Sequence, residues 1–212
     1  MKIVNASYRI ETPIDGAEIL KRIEKAGRTC YKSEDRITAE SAEAFVRMLI
    51  QRGHESVLEH ESITVRFVCD RGVSHEIVRH RLASFSQEST RYCNYSNDRF
   101  GSELTFIKPC FFMDKPWAYC AWENAMGFAE NVYLDLLSDG CPPQEARSVL
   151  PNSTKTEIVM TANLREWRHF LKLRTAKAAH PQMRELTVPL LHELQRRIPV
   201  VFDDMVNAEE GV

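Results

Sequence analysis

The stretch Ile63-Thr64-Val65-Arg66-Phe67-Val68-Cys69 puts an apolar side chain at every second position, and a period of two commits it to a strand with one buried face. Elsewhere the apolar residues recur mostly at helical spacing. Asp15 is placed to cap a first helix that carries Ile19, Leu20 and Ile23 on one face and ends at Gly27. A second helix is predicted over residues 38–52, with Gly53 as its stop. After an Asp70-Arg71-Gly72 turn, a short helix over 73–83 carries Arg79 and Arg81 about 200 degrees apart, a geometry that would give the two guanidinium forks different partners. Residues 86–90 then form a loop, and 95–116 contain loops with one brief strand. Residues 117–138 read as a long helix with Ala125, Phe128, Ala129, Val132, Tyr133 and Leu136 on its apolar stripe, closed by Asp139-Gly140. Pro142 and Pro143 open a short helix with Arg147. Residues 153–161 suit a strand, Asn163 caps a helix with Glu166 in the capping-box position, and a last helix over 181–197 is kinked by Pro189. Helices outnumber strands and do not alternate with them regularly. The fold class is therefore α+β, several helices packed on a small sheet, in a single domain over residues 1–212.

Composition narrows the function. Of the 28 basic residues 19 are Arg and 9 Lys, while the net charge is only −2. Arg presents a planar, permanently charged fork suited to phosphate and carboxylate, and near neutrality disfavours general attraction to polyanions. The excess thus points to local, shaped anion sites. The first residues lack a signal-peptide pattern and no run approaches the ~20 apolar residues of a membrane span, so a cytoplasmic protein is expected, with no membrane partner. Six cysteines without a Cys-x-x-Cys pair read mostly as small, reduced core residues, and Cys110 is left structural.

The richest donor set is Arg79-His80-Arg81-Leu82-Ala83-Ser84-Phe85-Ser86-Gln87-Glu88-Ser89-Thr90-Arg91-Tyr92. Its hydroxyls and N–H groups could cradle a phosphate, or the stretch could be a solvated turn with an ion pair such as Glu76 with Arg79. A second feature is the helix from Asn163, whose stripe of Leu164, Trp167, Phe170 and Leu171 is continued in phase by Arg174. A guanidinium there must be paired or line a pocket, while Arg165 and His169 share another face. His54 and His60 are six apart, not the four of a zinc helix, and lack a patterned third ligand, so no metal is expected. No glycine-rich cradle for a nucleotide is present, which leaves phosphate binding to side chains.

Arg79-His80-Arg81, seven residues, Ser89 and then Arg91-Tyr92 resemble the signature of the flavin-dependent thymidylate synthases. Gly53-His54-Glu55-Ser56 with Leu58-Glu59-His60, Ala146-Arg147 with Leu150-Pro151, and Asn163-Leu164-Arg165 through Leu173-Arg174 resemble further elements of that family, in order, over roughly residues 53–182. The resemblance implies reductive methylation of dUMP to dTMP, with 5,10-methylenetetrahydrofolate as one-carbon donor and NADPH as reductant through bound FAD. It implies an FAD site of Ser56, Arg79, His80, Arg81, Gln87, Asn163, Leu164, Arg165 and His169, with His54 near the flavin ring and the folate pocket. It implies a dUMP site of Glu76, Arg79, Gln87, Glu88, Ser89, Thr90, Arg91, Arg147 and Arg174, in which Arg174 is catalytic by binding the pyrimidine and favouring its N3-ionised form. It also implies a homotetramer with shared active sites.

Glu76 and Gln87 stand where some members carry Gln and Glu, and His180-Pro181-Gln182-Met183 replaces a more usual Ala-Gln followed by an acidic residue. Ser89 has no adjacent general base, so its hydroxyl positions dUMP and is not a nucleophile. The alternatives are a nucleotide- or flavin-binding regulatory module without turnover, and an RNA-binding protein. The second lacks a basic net charge and aromatic platforms, and no nucleic-acid partner is expected.

Overall fold

The computed structural model describes residues 1–96 and 103–205. Its strands are β1 Lys2–Val4, β2 Ser7–Ile10, β3 Ser62–Asp70, β4 Ala83–Gln87, β5 Thr105–Ile107 and β6 Lys155–Asn163. Its helices are α1 Gly16–Thr29, α2 Ser41–Gln51, α3 Arg71–Ile77, α4 Pro116–Ser138, α5 Pro143–Ala146, α6 Leu164–Arg174 and α7 Pro181–Arg197. One sheet has the order β2-β3-β6-β4, and β1 pairs in parallel with β5, Lys2 opposite Thr105. The fold class is α+β, as expected.

The chain forms two compact units, the first Met1–Tyr8, Arg66–Arg79 and Phe85–Val159, the second Arg9–Val65, His80–Ser84 and Met160–Val212. Strands β3 and β6 contribute residues to both.

In the first unit, Tyr95, Leu104, Phe106, Met126, Tyr133 and Ala146 form a buried cluster. Helix α4 has the expected length, and of its predicted stripe Tyr133 is buried and Leu136 packs against the cluster. Ala125 and Phe128 are exposed, and the buried side carries Met126, Glu130 and Tyr133. Glu130 is tolerated there because its carboxylate accepts the Leu104 N–H at 2.8 Å. Helix α3 also departs from expectation. Asp70, predicted in a turn, instead caps α3 by accepting the Val73 N–H at 2.7 Å, so the helix starts earlier and stops at Ile77. Arg79 and Arg81 therefore lie between α3 and β4, not on a helix, and no helical rotation sets their side chains apart. Residues 83–87, expected at a helix end and in a loop, are strand β4. The brief strand expected within 95–116 is β5, while 97–102 lie outside the described residues.

In the second unit, Asp15 caps α1 by accepting the Glu18 N–H at 3.1 Å. Gly27 does not end this helix, which continues to Thr29. It gives room to α2, since a Cβ at Gly27 would lie 2.9 Å from a Phe45 ring carbon. Gly16 is tighter still, because a Cβ there would lie 2.2 Å from the Arg197 carbonyl oxygen, a backbone atom that cannot rotate away. Gly16→Ala is expected to cost about 1–3 kcal/mol by overpacking. A lowered urea midpoint at unchanged slope checks this, and a wild-type midpoint contradicts it. Helices α6 and α7 supply large buried side chains, among them Trp167, Phe170, Leu186, Leu190 and Leu194. Helix α7 accommodates Pro189 within its length. Glu55–His60, just after His54, form a 3-10 helix.

Candidate active site

Strand β6 buries Thr156, Ile158, Met160 and Ala162 in alternation, then turns into α6 at Asn163, whose side chain accepts the Glu166 N–H at 2.9 Å. Only this half of the capping box forms. Glu166 turns instead to His80, Oε1 lying 3.2 Å from Nδ1. The predicted stripe of Leu164, Trp167, Phe170 and Leu171 is fully buried, and the Trp167 indole N–H donates to the Ile63 carbonyl at 3.0 Å. Burial of that face turns Arg165 and His169 to the other side. They line a cleft of about 910 Å³ with Asn163, Lys172, Glu55 and Glu59. Such a volume is at the upper end of the range for small-molecule sites, about 300–1,000 Å³.

Arg174, expected to be paired or to line a pocket, donates from Nε to His80 Nε2 at 3.1 Å. Arg Nε–H can only donate, so His80 Nε2 must carry a lone pair and Nδ1 the proton that faces Glu166. The imidazole is therefore neutral. Burial, followed by the Arg174 charge, pushes its pKa below the ordinary histidine value despite the Glu166 carboxylate. Phe170 and His169 stand edge-on to the ring at 4.8 and 5.6 Å. Among the described residues His80, Glu166 and His169 could offer metal-ligand atoms within 4.8 Å of one another. The His80 nitrogens are both engaged, however, and a divalent ion would meet the Arg174 guanidinium.

Two arginines that line the cleft are held by acids. Arg165 reaches Glu59 at 2.6 Å in an exposed pair that adds little stability. Arg168 is tied to Glu55 at 3.2 Å, to the Val201 carbonyl, and to both oxygens of Asp204 at 2.6 and 2.7 Å. The fork latches residues 201–204 onto α6. Its hydrogen bonds hold the Asp204 carboxyl below the usual aspartate range, although burial opposes this. A depressed folded pKa gives stability that is present above the unfolded value, about 3.9, and lost as pH falls through the folded one. Asp204→Asn is expected to flatten the acid limb of stability in urea titrations below about pH 4; an unchanged limb contradicts the latch.

In the first unit, Gln87 donates to Ser74 Oγ at 2.8 Å and Thr156 Oγ1 at 3.3 Å. Glu88 accepts from the Tyr95 hydroxyl at 2.8 Å and Lys155 Nζ at 3.0 Å. Burial works to lower the Lys155 pKa, but its bonds to Glu157 and Glu88 outweigh this and raise it. Ser89 accepts the Arg91 N–H at 3.3 Å, and Arg91 Nε donates to Gln144 at 3.2 Å, three residues before Arg147. Arg79, Arg91 and Arg147 are exposed, Glu76 is half-buried and Thr90 is buried. Glu76 and Arg79 are joined through the backbone, Arg79 N–H to the Glu76 carbonyl at 3.3 Å.

The family described as thymidylate synthase complementing protein matches residues 14–200. Flavin-dependent thymidylate synthases of Geobacter sulfurreducens and Corynebacterium efficiens are each 36% identical, over 84% of this chain and 78% of the first relative, and over 94% and 84% for the second. The chain belongs to the flavin-dependent thymidylate synthase family. The Pyrococcus furiosus flavin-dependent thymidylate synthase is 33% identical over 81% of this chain and 70% of its own. A UMP/dUMP methylase from Streptomyces cacaoi, solved bound with 5-Br dUMP, shares the fold with a TM-score of 0.80 at 23% identity, covering 96% of each chain.

Within this flavin-dependent thymidylate synthase family member, the residues assigned to dUMP lie in the first unit apart from Arg174. Those assigned to FAD lie in the second apart from Arg79 and Gln87. His54, Ser56 and Arg81 are exposed, and Asn163, Arg165 and His169 share the cleft. Two flavin assignments are placed otherwise. Leu164 is fully buried and its N–H donates to the Glu61 carbonyl at 2.9 Å, so its side chain serves the core. His80 is 5% exposed with both ring nitrogens engaged, which removes it from direct ligand contact in this arrangement. Sequence reasoning missed Lys155, Tyr95, Gln144, Arg168 and Asp204. A polar Lys155 and Glu157 on the alternate positions of β6 were the available signal for the first.

Proposed function

We propose that this chain methylates dUMP reductively to dTMP, taking the one-carbon unit from 5,10-methylenetetrahydrofolate and electrons from NADPH through bound FAD. Beside family membership, the observation that carries the reading is Arg174, a fixed cation whose Nε is anchored on a neutral imidazole. A cation aimed where negative charge develops lowers the barrier for forming that charge. Arg174 binds the pyrimidine and favours its N3-ionised form, which enriches C5 for attack on the one-carbon unit. Arg79, Arg91, Arg147 and the hydroxyls of Ser89 and Thr90 hold the nucleotide and its phosphate, with Glu76, Gln87 and Glu88 around it. Ser89 positions the substrate.

The cleft suits FAD in size and in its donor set of Asn163, Arg165 and His169, to which Ser56, Arg79, Arg81 and Gln87 are added, with His54 toward the ring and the folate. Bound FAD supplies two-electron transfer from NADPH. The protein orients and shields. Trp117 and Phe128 on α4 are 88% and 71% exposed, apolar surface that a homotetramer with shared sites would cover. No helix among the described residues is long and apolar enough to cross a membrane. We place the enzyme in the cytoplasm.

The purified protein should be yellow and oxidise NADPH only when dUMP is present. Bound flavin without dUMP-dependent NADPH oxidation would overturn catalysis in favour of a regulatory module, and a colourless protein that cannot take up FAD would overturn the flavin site.

A further inference from the structure

We propose that Glu166 and His80 are positioning residues for Arg174, a chain of two hydrogen bonds in which Glu166 holds His80 in its Nδ1–H tautomer so that Nε2 can accept the Arg174 Nε–H. The inference deepens the proposed function and rests on the role given there to Arg174. Three observations carry it. The geometry is continuous, Glu166 Oε1 to His80 Nδ1 at 3.2 Å and His80 Nε2 to Arg174 Nε at 3.1 Å. The His80 and Glu166 side chains are 4% and 6% exposed, so water does not compete for the bond between them. Phe170 and His169 also meet the ring edge-on, with centroids 4.8 and 5.6 Å from it.

A guanidinium has one Nε edge and two terminal nitrogens, so fixing Nε fixes the plane in which the terminal nitrogens act. Glu166 lies two turns before Arg174 on α6, and His80 precedes β4. The connection thus sets the Arg174 side chain against a second segment of its own unit, more tightly than the helix alone could.

A switch follows from the same bonds. Protonation of His80 converts Nε2 from acceptor to donor and places a cation against Arg174, so the guanidinium is released. The groups facing His80 are Glu166, Arg174 and His169 from α6. Glu166 favours the imidazolium, while burial, Arg174 and His169 oppose it. The acid limb of turnover should therefore lie below the ordinary histidine value, and losing the Glu166 charge should move it lower still.

The test is the pH profile of kcat at saturating dUMP for the FAD-loaded wild type, Glu166→Gln and His80→Gln, with flavin content measured in each. In Glu166→Gln the acid limb is expected to move down by about one pH unit or more. In His80→Gln the limb is expected to vanish, with kcat lowered about 10- to 100-fold by misplacement of Arg174. A limb at the wild-type pH in both variants overturns the proposal. An Arg174→Ala protein with normal turnover would instead overturn the underlying role of Arg174, so the two failures are distinct. Should the variants not fold, nitrogen NMR of the wild-type protein labelled at histidine decides independently of activity. Protonated Nδ1 and bare Nε2 at His80 are expected, and the opposite tautomer overturns the proposal.

Discussion

Arg174→Ala is expected to lower kcat for dTMP formation about 10²- to 10³-fold at saturating dUMP, the loss typical of removing one donor aimed at developing charge. Flavin content should be retained. The reason is structural, because Arg174 is at the end of α6 and bonds His80, whereas Asn163, Arg165 and His169 stand along the cleft of the same helix. Removing the guanidinium leaves His80 Nε2 without that donor, a loss of about 1–3 kcal/mol for one unsatisfied acceptor, small against the about 5–15 kcal/mol of a typical protein. The fold should therefore survive. Arg174→Lys is expected to recover little, since an ammonium keeps the charge but not the planar Nε edge. Rates measured over a dUMP series separate this from weakened binding, and near-normal turnover at saturation would contradict the role.

The second large effect is on stability. Trp167 is fully buried, stacks edge-on with Phe170 at 5.4 Å and satisfies the Ile63 carbonyl at 3.0 Å. Trp167→Ala is expected to cost about 3–5 kcal/mol, from lost burial, a cavity and an abandoned acceptor. That is a large fraction of the about 5–15 kcal/mol of a typical protein. Because Trp167 anchors the helix that carries Asn163, Arg165, His169 and Arg174, flavin binding should weaken together with the urea midpoint. Trp167→Phe keeps most of the apolar area but not the N–H, and should fall between. A Trp167→Ala midpoint equal to wild type would contradict this packing.

How far the fold could be read from sequence follows from where each signal resides. Strand β3 was legible because only one face of it is buried, so alternation is written into Ile63, Val65, Phe67 and Cys69. The α6 stripe was legible for the same reason at helical period. Strand β4 was not, since Ala83-Ser84-Phe85-Ser86-Gln87 reads as a polar loop and becomes a strand only by its place beside β6. In α4 apolar residues surround the helix, so a stripe ending at Tyr133 could be drawn through Ala125 and Phe128 as readily as through Met126. Packing, not period, made that choice. At the site, motif order pointed to Arg174, Arg165 and His169, of which the last two line the cleft, and the family match over residues 14–200 is wider than the segments that suggested it. The bonds among His80, Glu166 and Arg174 were not legible, because they join residues 86 and 94 positions apart. Burial of His80 likewise had no local signal in a stretch of polar and basic residues.

The most direct measurement is dTMP formation itself, followed by chromatography with dUMP, FAD, NADPH and 5,10-methylenetetrahydrofolate present and then with each of the last three omitted in turn. The account predicts product in the complete mixture and none when any one is left out, given protein stripped of flavin. Product formed without FAD, or no product in the complete mixture from folded, flavin-loaded protein, would contradict it.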